Sequence, residues 1–163
     1  MMGNVLSDVK QTVIEKNDAD GLLKVKQYLR KWGRVQQICG EHQVRIVQYN
    51  RLLERLQQHK CKMGAEEKER IEKSYKNSIQ NMVRNIEELN WFANRMERIV
   101  GQLDPEEEML IRMYYGREAS INTICMRLCI GRSTMFRIRD KALKNLLKIM
   151  EGEKMEGETE DED

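Results

Sequence analysis

The sequence predicts an all-α protein: a long antiparallel helical hairpin, coiled-coil-like, followed by a C-terminal three-helix helix-turn-helix module. Three observations carry this reading. An apolar heptad runs from Gly21 to about Gln58, a second four-and-three alternation runs from Tyr75 to Leu103, and short amphipathic segments fill 103–150. Apolar positions repeating at this spacing line one stripe of a helix and form a seam against a neighbour. With 40% apolar and 34% charged residues and one proline, the chain has the balance of a soluble helical protein. Nothing in it approaches the roughly 20 consecutive apolar residues of a membrane span.

Residues 1–20 form an N-terminal segment with no basic stretch leading into an apolar core, so no secretion signal is expected, and Met2 excludes a myristoylation site. The first helix of the hairpin, 21–102, carries Val25, Trp32, Cys39, Ile46 and Leu53 on one row of its seam. Tyr28, Val35, His42, Tyr49 and Leu56 form the other row. Gly33 and Gly40 lie seven apart beside this seam, where each costs roughly 1 kcal/mol relative to Ala. They bend the helix, admit a close neighbour, or break it. Residues 59–67, HKCKMGAEE, suit a loop, and Tyr75, Ile79, Met82, Ile86, Leu89, Ala93, Met96, Val100 and Leu103 form the returning seam. Two long helices with a short connection fold back on each other. Ile38, Leu52, Trp91 and Phe92 fall outside both seams and would be wet on a bare hairpin. With Trp32 and Ile46 they are the candidate oligomerisation residues, and a homodimer is the expected assembly.

The module occupies 103–150. In LDPEEEMLIRMYYG, Asp104 suits the N-cap, Pro105 the first helical position and Glu106 to Glu108 the positive end of the helix; Gly116 stops it. SINTICMRL follows as a short helix capped by Ser120, with Ile121, Ile124 and Leu128 inward. The last helix spans 132–149, with Met135, Ile138, Ala142, Leu146 and Ile149 on its apolar stripe. From Glu151 the chain reads EGEKMEGETEDED, which has too little apolar surface to bury and is expected to be disordered.

The net charge of +2 conceals an asymmetry. Residues 21–103 hold 17 Lys/Arg against 9 Asp/Glu, 104–150 hold 9 against 6, and the last 13 residues hold one Lys against eight acids. The last helix alone bears Arg132, Arg137, Arg139, Lys141, Lys144 and Lys148 against Asp140. Arg132, Ser133 and Arg137, with Phe136 beside them, crowd its N-terminal end, where a recognition helix meets base edges. Lysines further along would address phosphate. The competing reading is a solvated basic face of a bundle helix. The acidic tail either solubilises the chain or competes with DNA for this face.

Catalysis is not expected: the chain has no nucleophile–base set, no phosphate loop and no paired carboxylates. No cofactor is expected either. Cys39, His42, His59 and Cys61 have metal-capable side chains but no zinc spacing, and about 30 Å of helix would separate Cys39 from His59. Reduced structural thiols are the simpler reading, with Cys39 and His42 as a polar layer that fixes the seam's register. Cys125 and Cys129, four residues apart, leave a redox role open.

Leu103 to Lys148 resembles the sigma-70 region 4-like helix-turn-helix. The resemblance lies in LDPEEEMLIRMYYG and in SINTICMRLCIGRSTMFRIRDKALKNL: a capped short helix, Ile124 and Cys125, Leu128, a turn, Ile130, then a basic helix containing Lys141 to Leu143. It implies base-reading roles for Arg132, Ser133, Phe136 and Arg137, and phosphate contacts for Thr134 and Arg127, beside Lys141 and Lys144. A long helical segment ahead of such a module is similar to phage late-gene transcriptional regulators of the ArpU/RinA-like type. That similarity implies a cytoplasmic, sequence-specific DNA-binding activator in a bacterial host, with double-stranded DNA and the host RNA polymerase as partners. Two departures stand out: Cys129 occupies a turn position that favours glycine, and Gly131 an N-cap that favours Ser or Thr. Two other readings remain, a DNA-recognition subunit of phage packaging machinery and a polymerase-docking protein without DNA specificity of its own.

Overall fold

A computed structural model describes the backbone of residues 3–58 and 63–157, and the side chains of 18–58 and 63–153. Among the described residues the structure is all-helical, with no strand. Five α-helices follow one another: α1 (Gly3–Gln58), α2 (Ala65–Val100), α3 (Pro105–Ile111), α4 (Ile121–Leu128) and α5 (Arg132–Gly157). A π-helical turn, Arg112–Gly116, extends α3. No helix among the described residues is long and apolar enough to cross a membrane.

α1 begins well before Gly21 and passes unbroken through Gly33 and Gly40. α2 begins at Ala65, inside the expected loop 59–67, of which 59–62 lie outside the described residues; the Gly64 carbonyl accepts from Lys68 N at 3.1 Å. At the other end, helix continues from Glu151 to Gly157 where disorder is expected, and Glu153 Oε2 lies 3.6 Å from Arg95 Nε. The rest of the acidic tail, 158–163, lies outside the described residues.

The helices form two compact units. One comprises 34–94, the hairpin proper. Its pairing is antiparallel: Cys39 Sγ lies 4.0 Å from Asn90 Oδ1, while further along α1 the Tyr49 ring meets Tyr75, 5.4 Å between centroids. Val35, Cys39, Leu56 and Met82 are buried in the seam. Ile46, His42 and Leu53 are half-buried, as expected where only two helices share a seam. Inside it the Nδ1 atom of His42 is buried without a hydrogen-bond partner. Ile38 and Phe92 are half-buried, and Leu52 and Trp91 are 38% and 64% exposed, so both helices keep apolar surface outside the seam.

The second unit joins α1 up to Gly33 with the chain from Arg95 onward. The sequence places Val25 and Trp32 in the hairpin seam; the structure instead gives them to the core of the C-terminal module. Leu29, Met96, Ile99, Leu110, Ile111, Ile124, Met135 and Leu146 are almost wholly buried there. Trp32, a candidate oligomerisation residue, is 9% exposed within this core. A Cβ on Gly116 would lie 3.4 Å from its Cη2, and the Arg112 guanidinium sits 5.9 Å from its ring centroid. Arg112 also bonds Glu97 at 2.7 Å and Glu108 at 3.1 Å. Burial works against its charge, but these carboxylates outweigh it and raise its pKa.

Two glycines admit α1 to this core. A Cβ on Gly21 would come within 2.8 Å of Leu147 Cδ1, and one on Gly33 would overlap the Tyr115 carbonyl oxygen. Tyr115, 7% exposed, has its pKa raised above the usual tyrosine value by burial, with Tyr114 adding to it. As pH rises past about 10, the unfolded chain therefore releases this proton before the folded one, and stability falls. Thermal melts at pH 8 and pH 11 should show the loss, and Tyr115→Phe should make it smaller.

Candidate nucleic-acid interface

Everything that shapes the interface lies in the second unit, and begins with α4. Ser120 caps it as its sequence suggests, Oγ accepting from Thr123 N at 3.2 Å. Asp104 stands at the N-cap of α3 but bonds through its backbone, its carbonyl accepting from Glu108 N at 2.8 Å, with no side-chain capping bond. At the end of α4 Cys129 takes the left-handed conformation, φ 54° and ψ 45°. Its N–H returns to the carbonyls of Cys125 and Met126, and Ile130 N follows to Cys125 O at 3.1 Å. Met135 N then bonds Gly131 O at 3.0 Å, which opens α5. Three residues thus turn the chain from α4 into α5, the length of a helix-turn-helix connection.

A side chain in left-handed backbone costs about 1–2 kcal/mol, and glycine recovers part of this against its greater freedom when unfolded. Cys129→Gly should therefore stabilise the chain by about 0.5–1 kcal/mol, read as a shift in urea midpoint. A destabilised variant would mean that the thiol, exposed with Sγ 3.8 Å from Met126 O, holds the turn.

The sequence-derived residues lie on α4 and α5, and most of them are exposed. Arg132, Ser133 and Arg137 are exposed at the start of α5; Thr134 and Phe136 are half-buried beside them. The Arg137 Nη2 donates to Thr134 Oγ1 at 3.4 Å. Ser133, Arg137, Lys141, Lys144 and Lys148 follow steps of four and three, one face running about 22 Å along the helix. Arg127 is exposed on α4, next to Met126, which is 78% exposed. Among the described residues neither Arg132, Arg137, Arg127 nor Lys144 enters an ion pair. Gly131 has open space where a Cβ would stand, so the entry to α5 is uncluttered.

Two members of the basic helix have partners within the module. Lys141 is largely exposed, yet its Nζ lies 4.0 Å from Glu107 Oε1. Glu107, read from sequence as a complement to the helix end, is 4% exposed, and both its oxygens accept from Asn145 Nδ2, at 3.1 and 3.0 Å. Arg139 forks onto Asp140 Oδ1 through Nε at 3.2 Å and Nη2 at 3.0 Å, and Nη1 donates to Tyr114 Oη at 3.4 Å. Burial opposes its charge, but Asp140 and Tyr114 more than compensate and its pKa is raised. The pair also offsets the one acid on this stretch of α5, leaving Arg132 and Arg137 to set its potential. Neither Tyr114 nor Arg139 stands out in sequence as a site residue; the three-residue spacing from Phe136 to Arg139 is the only local trace of their grouping.

No known family model, curated protein or solved structure matches this chain.

Proposed function

We propose that the chain is a sequence-specific DNA-binding transcriptional regulator, a late-gene activator of the phage type, whose α5 enters the major groove by its first turns. The observation that supports it best is the exposed pair Arg132 and Arg137, in no ion pair among the described residues, directly after a three-residue turn from a capped helix. An arginine there can bond guanine O6 and N7 together, and Phe136 offers an apolar edge to a thymine methyl. Thr134, Arg127, Lys141 and Lys144 border this face and suit phosphate, which sets register rather than sequence. A homodimer would read two half-sites about one helical turn apart, or a multiple of that. The exposed Leu52 and Trp91 of the hairpin are candidates for its contacts.

Selection of bound fragments from random duplexes by the full-length chain tests the reading. An enriched motif, paired if the chain dimerises, is the expected result; recovery of all sequences alike would end it. The 64% exposure of Trp91 favours a second reading, a protein that docks on RNA polymerase or another regulator without reading DNA. Trp91→Ala would then abolish partner binding, with DNA irrelevant throughout.

A further inference from the structure

A charge count does not separate Arg139 from the other five cations of its helix. Its surroundings do. Its side chain is 21% exposed, and its guanidinium carbon lies 4.9 Å from the Phe136 ring centroid and 5.6 Å from that of Tyr114. A planar cation within cation–π reach of two aromatic rings, hydrogen-bonded to Tyr114 Oη and Asp140 Oδ1, is held by several groups. Tyr114 belongs to the π-helical turn, an element apart from α5, so this one side chain ties the recognition helix to the turn beneath it.

We infer that Arg139 is a positioning residue: set against the Tyr114 and Phe136 rings and forked onto Asp140, it sets the angle at which Phe136 meets a base. The inference rests on the DNA-reading proposal and adds a specificity determinant that touches no nucleic acid. A side chain with a fixed rotamer discriminates between bases; one free to swing meets all of them about equally. Phe136 is half-buried, so part of its ring is left to be aimed. Lysine cannot substitute, because it keeps the charge but has neither the plane that stacks nor the fork that holds two oxygens.

The experiment compares the full-length chain with Arg139→Lys and Arg139→Met. Each is measured against the duplex that the wild-type chain selects and against a scrambled duplex, over a series of salt concentrations, with helical content followed by circular dichroism. Both variants should bind the scrambled duplex as the wild type does, with the same salt slope. Their preference for the selected duplex should fall about tenfold. Should Arg139→Met fail to fold, Tyr114→Phe removes only the acceptor of the 3.4 Å bond and should lower the preference about threefold. Unchanged preference in the folded variants overturns the inference while leaving the DNA reading intact. So does a salt slope lower by about 0.9 in Arg139→Met, the signature of a lost phosphate contact. A wild-type chain without preference for any duplex overturns both.

Discussion

Gly33→Ala should lower the stability of the chain by about 3 kcal/mol or more, whereas Gly40→Ala should raise it by about 1 kcal/mol. Both glycines lie inside α1, seven residues apart on the same stripe. In an open helix each would gain from a methyl group, because alanine loses less backbone freedom on folding. Gly40 is such a site: nothing stands within 4 Å of its missing Cβ. At Gly33 the same atom would overlap the Tyr115 carbonyl oxygen and lie 3.2 Å from its carbon. Those are backbone atoms of the π-helical turn and cannot rotate away, so α1 or the turn must move. Movement there would disturb Trp32 on Gly116 and the Arg112 bonds to Glu97 and Glu108. Urea titrations of the two variants beside the wild type check the opposite signs. A Gly33→Ala chain as stable as the wild type would mean that α1 does not approach the turn this closely.

That contrast shows how far the sequence speaks. Spacing alone identifies both seams, because a buried stripe must repeat with the helix, and it anticipates Ser120 as a cap and the left-handed backbone of Cys129. Such features depend on residues within a few positions of one another. What is not local escapes it. NDADG, 17–21, has the composition of a turn, but the chain stays helical there and Gly21 is where Leu147 approaches α1. The acids after Met150 oppose a helix C-terminus, yet the helix continues and Glu153 meets Arg95, more than fifty residues earlier. Trp32 fits the hairpin seam by period, but its ring is buried with the C-terminal module instead. On α5, six cations are equivalent in a charge count, and only the positions of Tyr114 and Glu107 separate Arg139 and Lys141 from Arg132 and Arg137. The candidate site was thus legible in its residue types, and illegible in the division between side chains left open to solvent and those held by Tyr114, Asp140 and Glu107.

That division fixes what the double variant Arg132→Ala, Arg137→Ala should do. Both side chains are exposed, and among the described residues the only side-chain hydrogen bond of either is the 3.4 Å contact of Arg137 with Thr134. Their removal should leave the melting curve within the range of ordinary surface substitutions, about 0.5 kcal/mol. If each arginine holds a guanine by two bonds, each is worth about 1–3 kcal/mol of discrimination, so affinity for the selected duplex should fall by about 10² to 10⁴. The scrambled duplex should lose much less, because no base contact is there to be lost. Lys144→Ala supplies the contrast. A phosphate contact is blind to sequence, so its loss should weaken both duplexes by one factor and reduce the salt slope by about 0.9. The two variants therefore separate along independent axes, preference and salt dependence, measurable by anisotropy titration with the same pair of labelled duplexes. Equal weakening of both duplexes by the double variant would leave α5 an electrostatic surface that holds DNA without reading it.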